Sequence, residues 1–359
     1  MKYRFLIYIS HTYAVPTGLP LQAEIQNRGD EVKWFSELEP PKSYFPENGE
    51  LITNIKEVIS YSPHIVLSIT DVVADFIPGL KVQIFHGFLA HKHSFKKGHF
   101  RIRGFFDLYC TQGPSTTLPF QELQKKYPHF LVRETGWSKV DPLFTLQEKA
   151  RNKPSILVSS TFSPKYSWTY NDQVIDEIER ISKKGEWNFK IILHPKLDNE
   201  RVIKIKNIEN EYLEYISTTD IIPLFKEADI MFSDTTSAIT EFILQQKPVV
   251  TFRNNKPDAH LINIQEPGEI EEALRKAFYP SAEVKKHIEN YVLNTHPYFD
   301  GKSSERVIDT CIEVLHEDKS KLKTKPLNLV RKYKVRKRLG HFTFKSYRQP
   351  FVIPRKPEN

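Results

Sequence analysis

The sequence predicts an α/β protein built as two doubly wound, Rossmann-like domains, and three observations carry that prediction. Short apolar runs alternate with amphipathic helical stretches from Tyr3 to Phe278, the pattern of strand–helix units in a parallel sheet. The runs are apolar on consecutive residues rather than on alternate ones, as over Ile65–Ile69, where Ser68 alone is polar. That suits strands covered on both faces. The 359 residues leave room for two domains, at about 100–200 residues each, and the polar stretch Gln147–Pro154 is a natural divide.

In chain order, Tyr3–Ile9 reads as the first strand, Gly18–Arg28 as a helix, Gly29-Asp30 as a turn and Glu31–Phe35 as the second strand. Pro40, Pro41 and Pro46 open a loop, since proline fixes φ and donates no N–H. Leu51–Ser60 has helical spacing, and Ile65–Ile69 and Lys81–Phe85 are strands. The second half repeats the plan, with strands at Ser155–Ser159, Phe189–Leu193, Leu213–Ile216, Ile230–Phe232 and Val249–Phe252. Its helices are Asp172–Lys183, Ile221–Lys226, Ala238–Leu244 and Ile270–Phe278. The expected organisation is an N-terminal domain over 1–146, a second domain over 147–318 that includes a closing helix, and a tail over 319–359. Two such domains facing a cleft form the GT-B arrangement. Ligands of open α/β sheets bind beyond the carboxyl ends of the strands.

Composition narrows the class. With 39% hydrophobic and 12% aromatic residues the chain has the means to bury a core in each domain, which excludes a disordered chain. No run reaches the ~18 apolar residues of a membrane span. The start, Met1 to Ser10, reads as a buried strand rather than a secretory leader. Cys110 and Cys311 have no metal-ligand spacing and are expected as reduced thiols of a cytoplasmic protein. The net charge of +8 is uneven. Residues 319–359 carry fourteen Lys/Arg against one acid, Glu358, a net of +13, whereas residues 1–318 carry 38 Lys/Arg against 43 acids, a net of −5. The basic character therefore belongs to the tail.

Three strand ends hold candidate chemistry. The run Gln83-Ile84-Phe85-His86-Gly87 ends in an imidazole suited to general base work near neutral pH. Gly87 lets the backbone turn or a ligand approach. A turn histidine with no chemical role has the same signature. The following segment, with His91, Lys92, His93, Lys96, Lys97, His99, Arg101 and Arg103, is a phosphate-binding loop or a solvated charge run. The second strand end is Ile191-Ile192-Leu193-His194-Pro195-Lys196. Pro195 keeps His194 out of helical conformation, and Lys196 adds charge for a donor pyrophosphate. The third is Asp229 to Ser237, a strand delivering Asp234-Thr235-Thr236-Ser237 onto a helix. Free N–H groups and hydroxyls there favour an anion, and plain capping explains the same residues.

Taken in order, these strand ends resemble the CDP-glycerol glycerophosphotransferase family of teichoic-acid primases and polymerases, which have a GT-B fold. The resemblance spans residues 60–310. It rests on His86-Gly87, Gly136 with Asp141, Ser155–Ser159 followed by Thr161, His194-Pro195, Ala228-Asp229 leading to Asp234-Thr235-Thr236-Ser237, Lys247-Pro248, and Asp300-Gly301-Lys302-Ser303-Ser304-Glu305-Arg306. The resemblance implies a catalytic role for His86 and donor phosphate or nucleotide binding by His194, Lys196, Asp234, Thr236 and Ser237. Gly87, Lys92, Thr161 and Glu241 support them. Where the family has Thr after His-Gly, this chain has Phe88, and Lys92 falls slightly late. The Asp-Tyr-Ser-Ser turn is Asp-Thr-Thr-Ser here, and the Pro-Thr-Trp-Arg stretch is Ser160-Thr161-Phe162-Ser163.

The activity so implied is transfer of glycerol phosphate, or a related polyol phosphate, from a CDP-activated donor to a hydroxyl of a membrane-linked glycan acceptor. No cofactor or metal is expected. The plan is also similar to that of the hydrolysing UDP-N-acetylglucosamine 2-epimerases, so a GT-B glycosyltransferase using a nucleotide sugar and an epimerase-like isomerase stay open. A scaffold with a nucleic-acid-binding tail is the non-catalytic reading. In the tail, Leu329, Val330, Leu339, Phe342 and Phe344 are interleaved with Arg331, Lys332, Lys334, Arg336, Lys337 and Arg338. That pattern predicts peripheral attachment to an anionic membrane, on the cytoplasmic face, in preference to a solvated disordered tail or a nucleic-acid arm.

Overall fold

The computed structural model describes residues 2–38, 45, 48–88, 98–145, 153–218, 220–342 and 353–354. The chain forms two compact units: residues 1–142 with 295–359, and residues 143–294. Each is an α/β unit around one parallel sheet, the two-domain Rossmann-like class expected from the sequence.

The first unit runs β1 (Arg4–Ile9), α1 (Val15–Asn27), β2 (Glu31–Ser36), β3 (Leu51–Ile52), α2 (Ile55–Tyr61), β4 (Ile65–Ser68), β5 (Leu80–Gln83), β6 (Leu108–Thr111), α3 (Pro114–Lys126) and β7 (Leu131–Glu134). The strand order is β3-β2-β1-β4-β5-β6-β7, and all pairs are parallel. Consecutive residues of β1 go to opposite faces, and both faces are buried. Phe5, Ile7 and Ile9 enter one core cluster, Leu6 and Tyr8 the other. This is why the strand reads as an unbroken apolar run.

The second unit runs β8 (Ser155–Ser159), α4 (Asp172–Ser182), β9 (Asn188–Ile192), α5 (Asn199–Lys206), β10 (Leu213–Tyr215), α6 (Ile222–Glu227), β11 (Ile230–Ser233), α7 (Ala238–Ile243), β12 (Val249–Phe252), β13 (Ile262–Ile264), α8 (Ile270–Phe278) and α9 (Ala282–Thr295). Its strand order is β10-β9-β8-β11-β12-β13, again all parallel. In α4, Val174, Ile175, Ile178 and Ile181 fall at helical spacing and bury one stripe against the sheet.

Two expectations need correction. The closing helix, α10 (Ser303–His316), does not belong with residues 147–294. Its Val307, Ile308, Cys311, Val314 and Leu315 pack into the first unit's core beside Phe5, Ile7 and α1. The first sheet needs a second helix on that face, and the chain returns to supply it. Asp141 fixes the junction, accepting from the Ser303 and Ser304 N–H groups (2.8 and 2.7 Å) and the Ser304 hydroxyl (2.7 Å) at the start of α10. Gly136 makes room nearby at φ +80°, where a Cβ would collide with Ser303 and His296. Two segments of the family-like pattern thus meet as architecture.

The second correction concerns residues 319–359, set apart above as a tail. Its described residues, 319–342 and 353–354, belong with the first unit, and α11 (Leu329–Arg338) buries Val335 in that unit's second core cluster. The thiols of Cys110 and Cys311 also meet in this unit. Both are free and buried, and burial, then the contact with Cys110, pushes the Cys311 thiol well up.

Candidate functional site

In the first unit the candidate lies just past β5. The ladder continues one residue, with Ile84 donating to the Ser68 carbonyl (2.9 Å). Phe85 then takes φ +64°, a left-handed conformation that is strained for a bulky side chain. Strand β5 therefore ends at Gln83, two residues before the sequence suggests. The strain is held from three sides. The buried Trp137 indole N–H donates to the Phe85 carbonyl (3.2 Å), and Gln112 donates to the Gly87 carbonyl (3.1 Å). The Phe85 ring stacks on His99 at 4.3 Å. The turn falls on Phe85 rather than Gly87, and the space where a Gly87 Cβ would stand is open.

The result is an exposed His86 whose ring lies 5.9 Å from that of Tyr13, itself stacked on His11. Below it, His99 is held neutral, its pKa lowered to about 4 by burial, with opposing effects from Asp71 and from His86 and Arg103. Arg103 pairs with Asp71 at 2.8 Å, so it is spoken for within the fold. Lys92, with His91, His93, Lys96 and Lys97, lies outside the described residues.

In the second unit, the carboxyl ends of β8, β9 and β11 carry the remaining candidates. The His194 Nδ1 accepts from the Lys196 N–H (3.1 Å). That places the proton of the neutral ring on Nε2, a donor. The His194 ring lies 4.5 Å from that of Phe162, and the Lys196 ammonium sits 5.8 Å over the Phe162 ring. The sequence reading did not single out Phe162; its ring joins the β8 end to the β9 end.

Asp234 is fully buried. Its carboxylate accepts from the backbone N–H groups of Thr161 (2.8 Å), Trp168 (3.1 Å) and Thr235 (2.5 Å). Burial outweighs these bonds and raises its pKa to about 6. Its oxygens are occupied by the protein, so Asp234 shapes the loop after β8, and an anion would meet other groups. The Asn254 side chain donates to the Asp234 carbonyl (2.6 Å) and the Asn255 N–H to the Thr235 hydroxyl (3.1 Å), tying the end of β12 to the same turn.

Thr161 contributes its N–H to that loop. The neighbouring Ser160 hydroxyl is buried and meets no hydrogen-bond partner among the described residues. Thr236 makes a long capping contact to the Ala238 N–H (3.4 Å). Ser237 is exposed at the start of α7 and makes no side-chain cap bond, so capping does not account for its hydroxyl. Glu241 is buried within α7. A helix of six residues such as α7 offers a modest dipole; its hydroxyls and N–H groups matter more. A cavity of about 1220 Å³ lies at the opposite, amino ends of β8, β11 and β12, lined by Lys153, Asp229 and Gln246 among others.

No family model matches the chain, and no curated protein matches it. Solved structures do resemble it. A putative UDP-N-acetylglucosamine 2-epimerase from Listeria monocytogenes has a TM-score of 0.63 at 12% identity, covering 90% of this chain and 99% of its own. UDP-GlcNAc 2-epimerase from Neisseria meningitidis, bound to UDP-GlcNAc, has a TM-score of 0.59 at 15% identity, covering 86% and 100%. The wall teichoic acid polymerase TagF has a TM-score of 0.63 at 13% identity, covering 87% and 89%. The chain thus shares its fold with enzymes, a transferase and isomerases among them.

Proposed function

We propose that this chain is a transferase that moves glycerol phosphate, or a related polyol phosphate, from a CDP-activated donor to a hydroxyl of a glycan acceptor. The observation that carries the reading is the exposed imidazole of His86, presented by a strained residue that two buried side chains hold in place. Strain of this kind persists where a side chain has to be aimed. TagF, one of whose structures was soaked with CDPG, supports the donor class.

In the proposed step His86 takes the proton of the acceptor hydroxyl as its oxygen bonds to the donor's β-phosphorus. The bond from that phosphorus to the bridging oxygen breaks, and CMP leaves with the electron pair. Phosphoryl transfer needs positioning and charge stabilisation more than covalent help. His194, Lys196, Ser237 and Thr236 are the groups suited to the donor phosphates, with Asp234 and Thr161 fixing the loop beside them.

A second reading, an isomerase acting on a UDP-sugar, is favoured by the epimerase structures, which overlap the chain as extensively as TagF does. A donor panel of CDP-glycerol, CDP-ribitol, UDP-sugars and CMP-sugars, assayed for nucleotide release, separates the two. CMP formed from CDP-glycerol in the presence of an acceptor is expected. An epimerised product from UDP-N-acetylglucosamine, with no CMP from CDP-glycerol, selects the isomerase.

A further inference from the structure

Helix α11 has two dissimilar sides. One is fastened to the first unit. Val335 is buried in the core cluster that includes Phe76, Phe105 and Phe106, and Leu339 packs against that cluster. Arg336 pairs with Asp75 at 2.8 Å and Arg338 with Glu37 at 2.7 Å. The His341 ring stacks on Phe76 at 4.0 Å. The strand of chain leading in is fastened too, through Lys325 to Asp107 (2.6 Å) and Asn328 to the Arg103 carbonyl (2.7 Å).

The other side carries large apolar groups in the open. Leu327 is 74% exposed, Leu329 68%, Val330 70%, Tyr333 57% and Phe342 54%. Isolated exposed leucines need no account, but five such groups within sixteen residues make a patch. The same segment is basic. Lys321, Lys323, Lys332, Lys334 and Lys337 meet no carboxylate within ion-pair distance among the described residues, and the sequence has no acid from 319 to 342. No helix of the described residues is long and apolar enough to cross a membrane.

We propose that this outward side of α11 is a docking surface for an anionic lipid bilayer, with Leu327, Leu329, Val330, Tyr333 and Phe342 entering the headgroup–acyl boundary and the lysines facing lipid phosphates. Aliphatic groups between cations are what distinguishes this surface from a nucleic-acid arm. Phosphate backbones reward cations and aromatic stacking, whereas Leu329 and Val330 gain only by leaving water. The folded inward side holds the patch rigidly, so little ordering is required on contact. The inference is independent of the reaction proposed above.

The test uses the full chain and flotation with vesicles of 1:1 phosphatidylglycerol and phosphatidylcholine, against pure phosphatidylcholine. Two variants leave every inward contact intact: Leu329→Ser/Val330→Ser/Tyr333→Ser, and Lys334→Glu/Lys337→Glu. Thermal melts check that both fold as the parent does. The parent should float with the anionic vesicles, less so at high salt. Each variant should lose partitioning by about tenfold or more, with nucleotide binding unchanged. Absence of parental flotation, equal binding to phosphatidylcholine, or flotation of both folded variants like the parent overturns the proposal. So does an oligonucleotide that displaces the parent from vesicles and binds the apolar variant undiminished, the result expected of a nucleic-acid surface.

Discussion

Both units deliver a histidine beyond the end of an interior strand, β5 in one and β9 in the other, and they fix it by opposite means. His86 is fixed through its backbone: Phe85 is forced left-handed, and Trp137 and Gln112 clamp the carbonyls on either side. Its ring is exposed beside Tyr13. His194 is fixed through its ring, where Nδ1 accepts the Lys196 N–H and Pro195 restricts the chain. A clamped backbone with an open ring suits a group that must gain and lose a proton. A ring committed at Nδ1 suits a constant hydrogen-bond donor. The contrast predicts different kinetic consequences for two residues that look alike in sequence.

His86→Ala should therefore produce the largest effect, a fall in turnover of about 10²–10⁴-fold, with donor affinity within a fewfold of the parent. Steady-state CMP release and calorimetric titration of nucleotide read the two quantities. Near-parental turnover in a folded variant would dissolve the contrast. His194→Ala and Ser237→Ala should act the other way, each weakening donor binding by about 1.5–3 kcal/mol, the scale of a hydrogen bond to a charged group. Unchanged nucleotide affinity in both would move the donor site elsewhere.

What could be seen in the sequence follows the range of the interaction responsible. Strands β8, β9 and β12 lie within a residue of their expected limits: in β8 and β12 consecutive apolar residues signal burial on two faces, and in β9 Phe189 and Ile191 alternate into the core. Helix α3 carries two prolines: Pro114 sits at the helix start, where its missing N–H costs nothing, and Pro119 lies inside it. The His86 turn was visible, but Gly87 looked like its pivot; that Phe85 bears the strain depends on Trp137, 52 residues away. Asp234 was visible as a carboxylate among hydroxyls. That Thr161 and Trp168 N–H groups point at it, from 73 and 66 residues away, was not. The docking of α10 on the first unit is the same kind of long-range fact.

Trp137→Phe tests whether the clamp on the first histidine is structural as well as orienting. It leaves the Phe85 carbonyl without its indole donor inside the core. An unmatched buried polar group costs about 1–3 kcal/mol, read as a lowered denaturant midpoint with unchanged m-value. Turnover should fall while donor affinity holds, because the base is misaimed and the second unit is untouched. A loss of donor affinity with unchanged turnover would contradict the division between the two histidines.

The smallest expected effect concerns the second unit alone. Asp234 has its pKa raised from 3.8 to about 6, burial being the leading cause. A carboxyl whose folded pKa exceeds its unfolded one binds its proton more tightly in the native state. Its relative contribution to stability is then greatest below about pH 4 and is lost as pH rises through about 6. Asp234→Asn removes this titration while keeping the side chain's size, so the stability difference between parent and variant should depend on pH. Parent relative to variant should be more stable at pH 5 than at pH 7 by about 1 kcal/mol, measured by urea unfolding at both values. A difference that is flat, or that grows toward pH 7, would mean that the N–H groups of Thr161, Trp168 and Thr235 outweigh burial and keep the carboxylate charged. The loop beside the proposed donor site would then be held by an anion at every working pH, and the second unit's scaffold would rest on charge, in contrast to the hydrogen-bonded, strained backbone of the first.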